Sequence, residues 1–299
     1  LDLPLKPAWF DYCVPRDLKE ALHILDDAGQ EGRVLAGGQS LVPMLNLRIL
    51  SPAVVVDINR IEALNGLRAE KDCLTVGALV RHADLLRSAD VCGGWPLLAE
   101  ATRQVAHMAI RNRGTVCGSV SHNDPAAEHP SVLVTMGGTV VIAGKAGCRE
   151  LRAEEFFTGT LSNALEPGEM VVELRYPRPP ARTGSAFVEF ARRLGDFAIA
   201  GAAATLTMRD AICDHVRLTI LGMGQGPFRA YAAEQTLSGR RLDPKQYKDG
   251  FAEAAAKVVA DVDPAGDIHA SAGYRRHLAG VLTQRALATA FARAGGQVG

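Results

Sequence analysis

The spacing of apolar residues changes several times along the chain, and each change marks an element. Leu18, Ala21, Leu22 and Leu25 recur at helical spacing with Gly29 after the last turn, which predicts an amphipathic helix. The segment before it, from Pro4 to Pro15, lacks that period and reads as extended. Residues 33–36 and the run Val54-Val55-Val56-Asp57-Ile58 predict two buried strands, so the first 58 residues form a strand–helix–strand unit. Residues 66–70 and 74–77 flank Lys71-Asp72 as a hairpin. Helices follow at 81–88 and at 96–105, the latter entered through Gly93-Gly94-Trp95 with Pro96 in its first turn. A short helix at 130–136 and strands at 139–143 and 169–176 complete this part.

Pro177-Arg178-Pro179-Pro180 then interrupts every periodicity and reads as a boundary. Beyond it, residues 186–192, 198–208 and 213–221 predict three strands, the last two turning at Arg209-Asp210. Helices take over at 245–260 and 271–294, the second with Leu278, Val281, Leu282, Leu287 and Phe291 on one face. Strands followed by helices give an α+β class, with units at 1–58, 59–177 and 178–299. There is no internal repeat.

Composition narrows the function by exclusion. The 299 residues carry 33 basic and 33 acidic side chains and only 5% aromatics, so neither charge nor stacking surface favours nucleic acid. The six cysteines are scattered without a C-x-x-C pair, which leaves this chain no iron–sulfur or zinc motif of its own. No apolar run reaches membrane-spanning length and no signal peptide is visible, so a cytoplasmic protein with free thiols is expected. His122, Asp124, Glu128 and His129 match no metal spacing and read as a polar loop that caps a helix and contacts a ligand. His23 reads as a partly exposed helix residue and His107 as structural. Glu154-Glu155 read as the acidic first turn of a helix with Phe156-Phe157 packing inward. Gly222-Met223-Gly224-Gln225-Gly226 imitates a dinucleotide fingerprint but lacks the third glycine spacing, and is expected to be a plain loop. No catalytic acid–base pair, nucleophile or metal ligand is assigned.

Two glycine-rich stretches carry the chemistry. Val34-Leu35-Ala36-Gly37-Gly38-Gln39-Ser40-Leu41 takes a strand end through two glycines into a segment with Pro43 near its start. Such a turn points several main-chain N–H groups at an anion, and Ser40 adds a hydroxyl. Arg113-Gly114-Thr115-Val116-Cys117-Gly118-Ser119 repeats the pattern beside His122-Asn123-Asp124-Pro125. Two such loops suit an extended ligand or one with two phosphates.

Ala36-Gly37-Gly38-Gln39-Ser40-Leu41-Val42-Pro43 followed by Leu47-Arg48 resembles the first FAD motif of the flavin-binding medium subunits of molybdenum hydroxylases. Ile110 to Ser119 with His122 to Glu128 resembles the second, and Arg193-Leu194-Gly195-Asp196-Phe197-Ala198 and Ala270 to Arg276 resemble the carboxy-terminal signatures. The resemblance implies a PCMH-type, vanillyl-alcohol-oxidase-like FAD-binding fold. Two amino-terminal α/β subdomains would hold FAD, and a carboxy-terminal domain with a three-stranded antiparallel sheet plus helices would close over the flavin ring. It implies that Ala36, Gly37, Gly38, Gln39 and Ser40, with Thr115, Cys117, Gly118 and Ser119, bind the diphosphate and ribityl chain. Asp124 would bind the adenosine ribose, and Asp196 and Phe197 would lie near the ring. The implied contacts extend to Leu35, Leu41, Ala106, Ile110, Gly114, His122 and Val171.

Two residues depart from the pattern. Cys117 replaces the first of two glycines; if the position needs a positive φ the loop must adjust, and its thiol reads as a packing group ahead of one that touches the flavin. Phe197 stands where some relatives have tyrosine. The implied role is electron transfer: a small partner subunit holds two [2Fe-2S] clusters, a large one holds the molybdenum–pterin cofactor, and FAD in this chain passes electrons to an acceptor. The implied assembly is a heterotrimer or a dimer of heterotrimers. A stand-alone FAD oxidoreductase and a scaffold without flavin are the two rival roles.

Overall fold

Asp17 accepts a hydrogen bond from the N–H of Glu20 and starts helix α1 (Leu18–Ala28), which buries Ala21 and Leu25 and ends at Gly29 with φ 53°. In the computed structural model, which describes residues 6–243 and 247–295, this helix covers a parallel sheet. The sheet contains β1 (Asp11–Cys13), β2 (Gly32–Leu35) and β3 (Val54–Asp57), in the order β1-β3-β2. Because the strands are parallel, the turn after β2 and the residues after β3 emerge at the same edge, where ligands of such sheets bind. The first residues of the extended opening stretch, and Lys245 at the start of an expected helix, lie outside the described residues.

The middle unit is built on an antiparallel sheet of β4 (Leu67–Ala69), β5 (Cys73–Gly77), β6 (Thr139–Gly144), β7 (Gly147–Arg152) and a later strand, Met170–Pro177. That late strand lies between β5 and β6, giving the order β4-β5-late strand-β6-β7. Between β5 and β6 run α2's successors: after α2 (Leu41–Asn46) come α3 (His82–Arg87), α4 (Ala89–Gly94), α5 (Pro96–Gln104), α6 (Met108–Arg111), α7 (Val116–His122) and α8 (Glu128–Met136). A short α9 (Ala153–Phe156) and the strand pair β8 (Phe157–Gly159) and β9 (Ser162–Asn163) precede the late strand, β10. One apolar core joins the two units, with Ala21, Leu25 and Val56 of the first packed into the same cluster as Trp95, Leu133, Val140 and Leu174 of the second. Trp95 is fully buried, and its indole N–H is satisfied by the carbonyl of Tyr176 at 3.1 Å.

The last unit carries the expected three long antiparallel strands, β11 (Thr183–Phe190), β12 (Ala200–Arg209) and β13 (Ile212–Leu221), plus a two-residue β14 (Phe228–Arg229) at the edge. Asp210 and Ala211 at φ 49° and 67° make the tight turn between β12 and β13, one residue later than the expected Arg209-Asp210. Helices α10 (Tyr231–Leu237), α11 (Tyr247–Asp261) and α12 (Ala272–Arg293) cover one face. The approach of α12 is close because β11 and β12 present glycine and alanine: a Cβ at Gly184 would lie 1.9 Å from the carbonyl oxygen of Ala290. Tyr247, Phe251 and Phe291 pack ring to ring between α11 and α12.

Two polar clusters tie this unit to the rest. Glu154 in α9 pairs with both Arg217 of β13 and Arg229 of β14, and Arg229 pairs in turn with Glu234 at 3.0 Å. Arg217 also donates to the carbonyl of Val134, and Glu234 accepts from the N–H of Leu218. On the other side Arg293 donates to Glu100 and to the carbonyl of Ser185, while Glu100 accepts from Phe187 N–H. Phe156 is buried as expected beneath α9, and Phe157 meets it edge to face.

Candidate functional site

The first glycine turn leaves β2 at Leu35 and reverses at Gly38, whose φ is 71°. Gln39 bends back to donate to the carbonyl of Gly37, and Asn59, just beyond β3, donates to the carbonyl of Ala36 at 2.9 Å. Ser40 precedes α2 without capping it, and Leu41 is the first helical residue. Among the described residues no main-chain carbonyl accepts from the N–H groups of Gly38, Gln39, Ser40 or Leu41. Val42 and Met44 use the carbonyls of Gly38 and Ser40 instead. The turn therefore offers free donors.

The second turn lies against the first. A Cβ at Gly37 would fall 2.5 Å from the carbonyl oxygen of Arg113, 2.7 Å from Gly114 Cα and 3.0 Å from Thr115 N, so the two main chains touch there. Arg81 joins them by donating to both Asn59 Oδ1 and the carbonyl of Arg113. Gly114 N–H is held by the carbonyl of Ile110, and Ala106 adopts φ 39° with its carbonyl satisfied by Arg111. Thr115 begins α7, its hydroxyl accepting from Gly118 N–H at 3.1 Å. A Cβ at Gly118 would come within 2.6 Å of that hydroxyl. Between the turns opens a cleft of about 410 Å³ edged by Ala36, Gly37, Gly38, Gln39, Asn59 and Arg113.

Cys117 does not behave as expected of a strained loop residue. It sits inside α7, so no positive φ is required, and its thiol points into the core toward the carbonyl of Val76 at 3.6 Å. Burial pushes the thiol far above its ordinary range. The thiol packs in the core, as the packing reading of this position expects. In the native chain, an alkylating reagent is expected to label exposed Cys148 and spare Cys117 and Cys213, and Cys117→Ala is expected to keep its cofactor; peptide mapping and absorbance check both.

A larger cavity of about 700 Å³ opens between the middle and last units. Asp124, Pro125 and Ala126 form one wall, and Arg192, Gly195, Asp196, Phe197 and Ile199 another. Gly195 at φ 88° lies on His107, where a Cβ would be 2.2 Å from the imidazole, so His107 supports the loop as a structural residue. Phe197 is 75% exposed at the rim. Asp124 lines this cavity together with Asp196 and Phe197, and one of its oxygens already accepts from Ala126 N–H. His122 is half-buried at the end of α7, and burial holds its imidazole below the usual value. Val171 is buried in the core on β10, and Ser119 is half-buried on α7.

A further wall comes from the loop at Gly222 and Gly224, which line the cavity with φ of 82° and 108°. Gly222 N–H donates to the carbonyl of Pro125 at 2.8 Å, and a Cβ at Gly222 would meet the carbonyl oxygen of Ile199 at 2.5 Å. Arg275, buried on α12, reaches the carbonyls of Ile199 and Gly222 and the carboxylate of Asp267. The alternating glycines were the available signal, and positive φ rather than phosphate binding explains them. Among the described residues, no group of three His, Cys, Asp or Glu side chains could hold a metal.

Comparison with known proteins decides what this arrangement is. Residues 8–179 match the model of the FAD binding domain in molybdopterin dehydrogenase, and residues 185–290 match that of the CO dehydrogenase flavoprotein C-terminal domain. The chain belongs to the molybdopterin dehydrogenase flavoprotein family. It is 39% identical to 6-hydroxypseudooxynicotine dehydrogenase complex subunit alpha of Paenarthrobacter nicotinovorans, over 97% of each chain. It is 40% identical to caffeine dehydrogenase subunit beta of a Pseudomonas species, again over 97% of each. In structure it is similar to a chain of carbon monoxide dehydrogenase from Hydrogenophaga pseudoflava, with a TM-score of 0.92, 36% identity and coverage of 96% of this chain and 99% of that one.

The residues present fit the family's cofactor, FAD. Side chains are absent where the two turns meet, main-chain donors point free, and the larger cavity adds Asp124, Asp196 and an aromatic ring. A diphosphate suits the turns, since N–H groups at a glycine turn favour an anion without a buried lysine.

Proposed function

We propose that this chain is the FAD-carrying medium subunit of a multi-subunit molybdenum hydroxylase, taking electrons from [2Fe-2S] clusters of a small partner and passing them to an external acceptor. The large partner would hold the molybdenum–pterin cofactor. The observation that carries this reading is the contact of Gly37 with Arg113, Gly114 and Thr115, which turns two separate turns into one cradle. Bound there, FAD would supply the redox step. The protein's part is to bind and orient: Ala36 to Leu41 hold the diphosphate by main-chain N–H groups, and Gly114 to Ser119, where the Gly114, Val116, Gly118 and Ser119 N–H groups are already bonded, hold the ribityl chain by close main-chain approach and the Thr115 and Ser119 hydroxyls. Leu35, Ala106 and Ile110 shape the turns, Asp124 and His122 take polar contacts, and Asp196 and Phe197 border the ring.

Within this role the chain divides into subunit pieces at 1–58, 59–177 and 178–299. The contact of Gly222 with Pro125 supports a ring site closed by the last piece. All six cysteines are unpaired, which suits a cytoplasmic complex. No helix among the described residues is long and apolar enough to cross a membrane. The relatives act in complexes named for different compounds, while the lining of the cradle here is main chain. The substrate is therefore expected to be chosen by the large partner.

The test is the visible spectrum of the purified chain and the identity of what acid releases. A flavin spectrum with released FAD is expected, together with co-purification of iron- and molybdenum-bearing partners from the native source. A colourless chain that takes up no added FAD refutes the reading. A chain that oxidises a substrate by itself refutes the subunit role.

A further inference from the structure

His82 and His129 form a buried pair that none of the contacts above uses. His82 opens α3 and is 4% exposed, and His129, in the first turn of α8, is fully buried. Their rings lie nearly parallel, 7° apart, with His82 Nδ1 and His129 Nε2 separated by 2.9 Å. One proton must sit between those nitrogens, and the surroundings decide whose it is. If His82 donated it, His129 would carry its own proton on Nδ1, a buried atom with no partner. A buried N–H left without an acceptor is rare and costly. The other assignment makes His129 Nε2–H the donor and puts the remaining proton of His82 on Nε2. Neither ring takes a second proton at neutral pH. Burial is the main reason that His82 falls to about 4, with the charges of Arg111 and Arg81 adding to it. Burial, and then His82, keeps His129 well below the ordinary range.

The free edge of His82 faces the second glycine turn. A Cβ at Gly114 would be 2.8 Å from Cδ2 and 2.9 Å from Nε2 of His82. The main-chain N–H of His82 also donates to the carbonyl of Gly114 at 3.1 Å. Gly114 Cα in turn abuts Gly37. His129, His82, Gly114 and Gly37 thus form one row running from the core to the cradle. We propose that His82, oriented by His129, is a positioning residue for the cradle: its ring edge fixes where the Gly114 main chain runs and so sets the spacing of the two turns. The inference rests on the FAD reading of those turns.

The test titrates the FAD-depleted full chain with FAD, comparing wild type with His129→Leu, His129→Gln, His82→Leu and the double variant His82→Leu/His129→Leu. His129→Leu is expected to weaken FAD binding by about tenfold or more. His129→Gln, whose amide can donate to His82 Nδ1, is expected to stay within about threefold. The double variant should bind no worse than His82→Leu alone, since the pair acts as a unit. A pair that serves only the core would lower the melting temperature in these variants and leave FAD affinity at the wild-type value; that result overturns the proposal. Nitrogen-15 spectra of histidine-labelled wild type give a second check that needs no variant. His82 protonated on Nε2 is expected, and protonation on Nδ1 overturns the assignment. Wild-type chain that takes up no FAD instead refutes the FAD reading itself, an outcome distinct from normal uptake with indifferent variants.

Discussion

Gly37→Ala is expected to purify without flavin, with FAD affinity lowered by about 100-fold, on the order of 3 kcal/mol. The added methyl would overlap the carbonyl oxygen of Arg113 at 2.5 Å and Gly114 Cα at 2.7 Å. Both are main-chain atoms, so no rotamer change relieves the contact and the two turns must separate. Gly38→Ala makes a discriminating control. Its φ of 71° imposes strain of about 1 kcal/mol, but the new methyl would meet only the side-chain ends of Leu35 and Val42, at 3.2 Å, which can rotate. Retained flavin in Gly38→Ala and lost flavin in Gly37→Ala is the expected order, read from the ratio of visible to ultraviolet absorbance. The reverse order would mean that the turn binds through its shape at Gly38 and not through its contact with the second turn.

Glu154→Ala is expected to lower stability by about 2–3 kcal/mol, because it takes the shared carboxylate from the half-buried Arg217 and Arg229, leaving Arg217 with the Val134 carbonyl and Arg229 with Glu234. Chemical unfolding of the full chain measures this, with Glu154→Gln as a milder comparison that keeps hydrogen bonding. The pH dependence has a definite sign. Burial raises the Glu154 pKa, but the charge and hydrogen bond of Arg217, its own helix N–H and the charge of Arg229 outweigh burial and leave it below the ordinary 4.5. A depressed carboxyl stabilises fully above its unfolded pKa and loses that contribution as pH falls through the folded one. The gap between wild type and Glu154→Gln should therefore be constant near neutrality and shrink on acidification below about 4.5. A gap that widens in acid would show that the cluster is not held by an ionised Glu154.

Much of this architecture was legible because it is local. Helix α1 announced itself through Leu18, Ala21, Leu22 and Leu25 and stopped at Gly29, and the strands of the last unit through alanine-rich and β-branched runs. The glycine turns were legible as anion sites from Gly37, Gly38 and Gly114, since only glycine permits the conformation or the approach. Three features depended on distant contacts and left weaker traces. Strand β7 alternates polar residues such as Arg149 and Glu150 and has too few apolar positions to signal burial. The role of Gly222 needed the carbonyl of Pro125 nearly a hundred residues earlier. Cys117 looked like an intrusion into a glycine pair, and only the helix α7 shows that the position needs no positive φ and that a side chain there can turn into the core. The placement of Asp124 beside Asp196 and Phe197 was likewise a matter of how the last unit folds back, which no spacing along the chain encodes.

The position of β10 bears on how the protein is made. Its pairing partners are β5, about a hundred residues earlier, and β6, and it fills the centre of the sheet. A ribosome-bound chain that ends before residue 170 has both glycine turns already synthesised but lacks the strand that fills the centre of the sheet. Pairing over such sequence separation is slow, because chain closure must be completed before its contacts form. Cofactor loading therefore follows the closing of this sheet, and cells that accumulate stalled or truncated chains should hold them free of flavin, as targets for chaperones and proteases.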